Sequence, residues 1–292
     1  MKVAIVGAEG QLGADVCDEF RKNSDEVHPL SHGDVEVADL EQVKRTLTAV
    51  EPEVIVNTAA FHNVEQCEQD PAKSFAINAL GARNLALVAN NLGAILMHVS
   101  TDYVFDGSMD RPYEEQDVPR PLNVYGNSKL AGECFVRSTT GRHFVLRTSA
   151  LYGKHPCRAK GGLNFVELML KLAREREELR VVGSEVVTPT STAELARQIV
   201  KLSRCDAFGL YHTTAEGSCS WYEFAREIFM LTDTKIRLNM AAPNEFPSKV
   251  LRPTYSVLEN RGLKTIGQNL FRDWQEGLRE YLGLSKRVVQ TA

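Results

Sequence analysis

Val3-Ala4-Ile5-Val6-Gly7-Ala8-Glu9-Gly10-Gln11-Leu12-Gly13 decides how this chain folds. Four apolar residues in succession leave no polar face for water, so the run reads as a strand buried on both sides, as in a parallel sheet covered by helices. Three glycines at three-residue spacing follow and lead into a helix expected from about Gln11 to Asn23. The same alternation continues. A strand is expected over Glu26 to Leu30, and Leu40, Val43, Leu47 and Val50 stand at helical spacing before Pro52 stops that helix. Val54-Ile55-Val56-Asn57 reads as the third strand, Ala72 to Leu92 as one long helix and Ile95 to Val99 as the fourth strand. A polar loop from Thr101 to Leu122, a helix from about Asn123 to Ser138 and a strand Phe144 to Arg147 complete the pattern.

Strands alternating with helices predict an α/β fold with a Rossmann-like, doubly wound parallel sheet over residues 1–150. Beyond about Leu151 the pattern is less regular. Gly161-Gly162 precedes a helical run through Phe165, Leu168, Leu172 and Ala173, and Ala241 to Pro253 reads as loop. Residues 151–292 are expected to form mainly a smaller substrate-binding lobe, with segments from about 180–220 returning to the main domain.

Gly7, Gly10 and Gly13 form a G-x-x-G-x-x-G turn at the first strand-to-helix junction. Glycine permits the tight turn, lets backbone N–H groups and a helix N-terminus approach a pyrophosphate, and allows the helix to pack closely on the strand. The turn therefore predicts a bound dinucleotide. An acid that would hold the adenosine ribose hydroxyls is missing from the end of strand two, which reads Leu30-Ser31-His32-Gly33. Without a carboxylate to repel a 2′-phosphate, NADPH is the expected cofactor, with NADH an alternative because no arginine waits there and Asp34 is near. Asp39 with Leu40 sits by the adenine, or Asp39 simply caps the next helix.

Tyr125-Gly126-Asn127-Ser128-Lys129 places a phenol and an ammonium four residues apart on one helix face. A phenol is a poor acid–base group at neutral pH, and a nearby ammonium is expected to bring its pKa down toward the working range. Lys129 is also placed to hold the nicotinamide ribose. Thr101, leaving the carboxyl end of strand four, faces the crevice where open α/β sheets bind ligands and is positioned to donate to a substrate carbonyl.

The composition, 43% hydrophobic and 25% charged over 292 residues, is that of a folded soluble protein. A net charge of -4 argues against nucleic-acid and membrane partners. No apolar run approaches the roughly 18–20 residues needed to cross a bilayer, and the start is too short for a signal peptide, so a cytoplasmic location is expected. Cys17, Cys67, Cys134, Cys157, Cys205 and Cys219 are scattered and read as reduced thiols. His28 and His32 fall at a strand end where their spacing does not bring them together, and no metal site is expected.

With these features in order, the sequence resembles the extended short-chain dehydrogenases and, among them, the dTDP-4-dehydrorhamnose reductases. The resemblance rests on the glycine turn, on Val54-Ile55-Val56-Asn57-Thr58-Ala59-Ala60, on Ser100-Thr101-Asp102-Tyr103-Val104-Phe105-Asp106-Gly107 and on Pro121-Leu122-Asn123-Val124-Tyr125-Gly126-Asn127-Ser128-Lys129. It continues through Leu146-Arg147-Thr148-Ser149, Thr188-Pro189-Thr190, Gly209-Leu210-Tyr211-His212 and Arg252-Pro253. It implies NAD(P)H-dependent reduction of the 4-keto group of a nucleotide-activated deoxy sugar, dTDP-4-dehydro-L-rhamnose to dTDP-L-rhamnose. By position, it puts Gly10, Gln11 and Leu12 at the pyrophosphate, Asp39 and Leu40 at the adenosine, and Ala59, Ala60, Phe61 and His62 at the middle of the cofactor. Thr101, Asp102, Val104, Ala150 and Arg252 fall to the substrate, and Thr101, Tyr125 and Lys129 to catalysis.

The chain departs from the family in three places. Ala150 stands where the family commonly has Trp, Gly183 to Thr190 replaces an Asp-Gln-x-Gly-x-Pro-Thr segment, and Phe61-His62 replaces Tyr-Thr. Losing an indole removes a flat apolar surface, so another side chain fills the space or a different nucleotide sugar occupies it. A reductase or epimerase of another nucleotide sugar, or a non-catalytic regulatory subunit, are the alternatives. The resemblance also brings a homodimer joined through magnesium. Asp15 and Glu194 stand at about the matching positions, where carboxylates on helices read as solvated surface.

Overall fold

The computed structural model describes residues 1–157, 161–242, 245–246 and 249–284. Of the loop expected over 241–253, residues 243, 244, 247 and 248 lie outside the described residues. The first half of the chain runs β1 (Lys2–Val6), α1 (Gln11–Lys22), β2 (Glu26–Leu30), α2 (Leu40–Val50), β3 (Val54–Asn57), α3 (Val64–Gln69), α4 (Pro71–Phe75), α5 (Gly81–Leu92), β4 (Ile95–Thr101), α6 (Val124–Thr139) and β5 (His143–Thr148). It continues with β6 (Leu151–Tyr152), α7 (Phe165–Glu175), β7 (Glu178–Val181), β8 (Val186–Val187), β9 (Thr190–Ser191), α8 (Thr192–Leu202), β10 (Gly209–His212), β11 (Cys219–Ser220), α9 (Trp221–Leu231), β12 (Arg237–Met240), α10 (Arg261–Thr265) and α11 (Trp274–Tyr281).

Six strands form the central sheet in the order β2-β1-β3-β4-β5-β10, with every neighbouring pair parallel. Alternate residues of each strand point to opposite faces. Val3 and Ile5 therefore pack with Val16 and Phe20 of α1 and with Leu195 and Ile199 of α8 on one face. Ala4 and Val6 pack with Val43 and Leu47 of α2 and Leu85 and Ala89 of α5 on the other. This two-sided burial is why β1 and β3 read as unbroken apolar runs. The chain goes from β1 outward to β2 and returns to β3 on the other side of β1, so a crevice opens beyond the carboxyl ends of β1 and β3.

Two sequence expectations differ from the structure. The helix expected over Ala72 to Leu92 is α4 and α5 joined by a π-helical stretch, Ala76–Leu80. Its Asn78 side chain donates to Phe61 O (2.9 Å) and Ser128 Oγ (2.9 Å) and accepts from the Phe61 N–H (2.8 Å). Periodicity cannot register one extra residue in a turn. Strand β4 runs past Val99 to Thr101, because Ser100 and Thr101 stay in register with Arg147 and Thr148 of β5.

Residues after β5 divide between the sheet and a third core. Helix α8 and strand β10 lie on the central sheet, whereas Val166 and Met169 of α7, Phe224 and Ile228 of α9, and Trp274 and Leu278 of α11 pack together. Small pairs, β6 with β9, β7 with β12 and β8 with β11, brace this part.

A buried ion pair ties the site-bearing helix α6 to the sheet. Glu133 Oε1 accepts from Arg147 Nε at 2.9 Å and Glu133 Oε2 from Arg147 Nη2 at 2.7 Å, with both side chains 1% exposed. Ser100 Oγ of β4 donates to the same Oε1 at 2.5 Å. Replacing Glu133 with Leu strands the guanidinium in the core, and we expect about 3–5 kcal/mol lower unfolding free energy by urea titration. Glu133→Leu combined with Arg147→Met is expected to recover most of that loss, because neither charge is then left alone.

Candidate active site

The glycine turn lines one end of a cleft of about 360 Å³ through Gly10, Gln11, Leu12 and Gly13. Gly7 makes the turn itself, its N–H donating to Leu30 O at 2.9 Å. Gly13 lies so close beneath that a Cβ there would collide with Gly7 O and Ala8 Cα. Gly10 caps α1 without a side-chain bond, and no acidic residue stands in the first turn, so the helix N-terminus offers its N–H groups and positive dipole end to an anion. These features fit a nicotinamide dinucleotide. Gln11 Nε2 donates instead to His155 O (3.0 Å) and Gly153 O (3.4 Å), tying the turn to the segment after β6.

At the end of β2, Asp34 Oδ2 accepts from the Ser31 N–H (2.7 Å) and Oγ–H (2.6 Å), and these bonds hold its carboxyl below the usual range. Asp39 caps α2: Oδ1 accepts from the N–H groups of Glu41 (3.0 Å) and Gln42 (3.1 Å). Asp39 and Leu40 are not among the cleft-lining residues, and Leu40 packs against the sheet core.

Ala60 and His62 line the cleft. Ala59 N–H donates to Asn57 Oδ1 (3.1 Å), and Phe61 is pinned by Asn78 and lies under Lys73, whose Nζ is 5.1 Å from the ring centroid. Helix α3, which the sequence reading missed, follows directly. Asn63 caps it, accepting from the Gln66 N–H at 3.0 Å, and its Glu65 pairs with Arg252 while Glu68 Oε1 accepts from the Val124 N–H at 2.7 Å. At six residues it is too short for a periodic signal; an Asn ahead of the run is the only local mark.

Thr101, Tyr125 and Lys129 converge on this cleft. Tyr125 sits in the first turn of α6, which Asn123 caps by accepting from the Gly126 N–H at 2.9 Å. A Cβ on Gly126 would collide with Tyr103 O, so glycine lets α6 approach the turn after β4 and brings Tyr125 to the same cleft as Thr101. The Tyr103 and Tyr125 rings meet edge to face, 5.8 Å between centroids. Lys129 is buried with Nζ donating to Val99 O at 2.6 Å.

The expected electrostatics of the pair are reversed. Burial pushes the Tyr125 phenol above its ordinary value, and burial also takes the Lys129 ammonium down to about 8, with Glu133 opposing. Desolvation dominates at both groups because both are enclosed. Asp102 is likewise buried: its Oδ1 is hydrogen-bonded to Thr101 Oγ1 at 3.0 Å and its Oδ2 accepts from Ser149 Oγ at 2.8 Å.

The other wall of the cleft carries Ala150, Trp221 and Arg252. Ala150 is left-handed, with φ of 44°, where β5 turns into β6. Val104, assigned to the substrate by resemblance, is instead fully buried with Phe105, Tyr113 and Leu258, because the turn after β4 points it inward. Trp221, the first residue of α9, is a lining residue the sequence did not reveal. Its Nε1 donates to Glu185 Oε2 at 3.1 Å and its ring lies 4.7 Å from Phe165 between centroids. Nothing local separates such an indole from one that fills a core.

Asp15 and Glu194 are not solvated carboxylates. Glu194 is buried, accepting from Arg272 Nε at 2.9 Å, and Asp15 accepts from Thr192 Oγ1 and lies 3.5 Å from His155 Nε2. Tertiary packing of α8 against α1 and the C-terminal segment encloses them. Among the described residues, no group of three or more His, Cys, Asp or Glu side chains is arranged to hold a metal ion, and no helix is long and apolar enough to cross a membrane.

Residues 1–286 match the protein family described as the RmlD substrate binding domain. The chain belongs to that family. Similar proteins include the spore coat polysaccharide biosynthesis protein SpsK of Bacillus subtilis (strain 168), 41% identical over 281 residues spanning 96% of each chain. The dTDP-4-dehydrorhamnose reductase of Sinorhizobium fredii is 34% identical over 291 residues, again 96% of each. A crystal structure of dTDP-4-dehydrorhamnose reductase from Bacillus anthracis str. Ames in complex with NADP is similar with a TM-score of 0.92 at 37% identity, covering 97% of this chain and 99% of that one.

In this RmlD-family chain the close packing at Gly13 makes the cofactor turn testable. Gly13→Val displaces Gly7 and the N–H groups at the start of α1, and NADPH affinity by fluorescence titration is expected to fall roughly tenfold or more, about 1.4 kcal/mol. Unchanged affinity would place the dinucleotide elsewhere.

Proposed function

We propose that this chain is an NADPH-dependent reductase of the 4-keto group of dTDP-4-dehydro-L-rhamnose, forming dTDP-L-rhamnose. The convergence of Thr101, Tyr125 and Lys129 in the cleft that also takes the glycine turn carries this reading. Relatives named dTDP-4-dehydrorhamnose reductase, one of them in complex with NADP, support both the substrate and the choice of cofactor over NADH.

A bound nicotinamide supplies the hydride. Tyr125 gives the proton to the 4-keto oxygen, and its raised pKa keeps the phenol protonated across the neutral range, as an acid in the reducing direction requires. Thr101 donates a hydrogen bond to the same oxygen as charge builds on it. Lys129, whose Nζ donates to Val99 O, would hold the nicotinamide ribose. Arg252 meets the anionic part of the nucleotide sugar, and Ala150 and Trp221 bound its ring.

The small methyl of Ala150 on the cleft wall, where the family commonly has Trp, favours a second reading, a different nucleotide-activated keto sugar handled by the same chemistry. NADPH absorbance, followed with dTDP-4-dehydro-L-rhamnose generated in place, separates the two: oxidation coupled to dTDP-L-rhamnose establishes the first, and silence with NADPH bound directs the search to other sugars. Tyr125→Phe is expected to lower kcat by about 10²–10⁴-fold with NADPH affinity unchanged. Retained turnover in that variant contradicts the proton-donor role.

A further inference from the structure

Thr101 has one proton and two lone pairs, and its recorded partners already claim more than a donor to a ketone can give up. Its Oγ1 accepts from the Tyr103 N–H at 3.2 Å, and it lies 3.0 Å from Asp102 Oδ1. If Asp102 is a carboxylate, that last contact takes the Thr101 proton, and nothing remains to donate to a substrate oxygen. A carboxylate there would also repel the negative charge that develops on that oxygen.

Burial disfavours an anion at Asp102 and outweighs the hydrogen bonds that favour one. The residue is 4% exposed, and the bonds to its two oxygens come from the neutral hydroxyls of Thr101 and Ser149. The titratable and charged groups on the same cleft are the phenols of Tyr103 and Tyr125, the ammonium of Lys129, the guanidinium of Arg252, the carboxylate of Glu65, the imidazole of His62 and the thiol of Cys157. Lys129 is committed to Val99 O, and Arg252 is paired with Glu65. Burial accordingly raises the Asp102 carboxyl above its ordinary range.

We propose that Asp102 is a neutral carboxylic acid that donates its proton to Thr101 Oγ1 and so turns the Thr101 hydroxyl toward the reacting oxygen. The 3.0 Å contact suits a bond with Asp102 as donor as well as one with Thr101 as donor. Ser149 then donates to the carbonyl oxygen of the acid, giving a chain that runs Ser149, Asp102, Thr101, substrate. Asp102 is in this sense a positioning residue: it acts through Thr101. An acid kept neutral by an apolar site so that it can donate is a known catalytic device. The inference rests on the ketone-reductase reading of the cleft.

An amide has the donor and acceptor of the neutral acid at the same places and cannot ionise. Asp102→Ala is expected to lower kcat by about 10²-fold with KM changed little, and Asp102→Asn to recover kcat to within about tenfold of the native enzyme. Equal losses in the two variants would overturn the proposal. Infrared difference spectra of native protein against Asp102→Asn, both with NADPH at pH 7 and without sugar, supply a readout independent of turnover. The carbonyl stretch of a protonated carboxylic acid is expected in the native protein; a carboxylate band alone would overturn the proposal. Failure of the native protein to reduce any keto sugar would count against the proposed function while leaving the infrared result to stand on its own.

Discussion

The pair formed by Glu133 and Arg147 is the constraint on which the site depends. Helix α6 carries Tyr125 and Lys129, β4 carries Thr101, and the register between them is set where Glu133 takes Arg147 from β5 and Ser100 from β4. The carboxylate is bonded on both oxygens by a planar cation, while Arg147 Nη1 is buried without a hydrogen-bond partner. Ser100 is the residue before Thr101, so the bond that anchors the helix also anchors the neighbouring hydroxyl. The Arg147 guanidinium lies over the Phe105 ring as well, 5.1 Å from its centroid, linking the pair to the turn that buries Val104.

Around this anchor the site is built from enclosed groups whose charge states follow burial more than proximity. Tyr125 and Asp102 are both pushed toward their neutral forms, and Lys129 is brought down to about 8. The cleft thus presents the hydroxyls of Thr101 and Ser149 and the buried Asp102 carboxyl at the carboxyl ends of β4 and β5, while the start of α1 presents backbone N–H groups. That division suits a reaction in which an oxygen gains a proton at one end and a phosphate-bearing ligand is held at the other.

Much of the framework was legible in local sequence. The limits of β2 and β3, the start of α1 and the stop of α2 before Pro52 follow from apolar runs, glycine and proline acting within a few residues. The Tyr–Lys spacing and the glycine turn were legible for the same reason: each is a short pattern on one element. The structure altered the readings wherever a distant segment competed. Asn78 is drawn to Phe61 and Ser128, opening a π turn in a helix that looked regular, and Val104 is drawn into a cluster with Leu258.

By itself the sequence determined the parallel α/β sheet, the cofactor turn and the three residues expected to do the chemistry, because these depend on neighbours in the chain. Tertiary structure alone decided what surrounds them. Arg252 reaches Glu65 across 187 residues, Ser149 reaches Asp102 across 47, and Trp221 reaches Glu185 across 36 to form the second wall of the cleft. Burial, and with it the protonation of Tyr125, Lys129 and Asp102, belongs to the packed molecule, since no stretch of sequence carries its own dielectric surroundings.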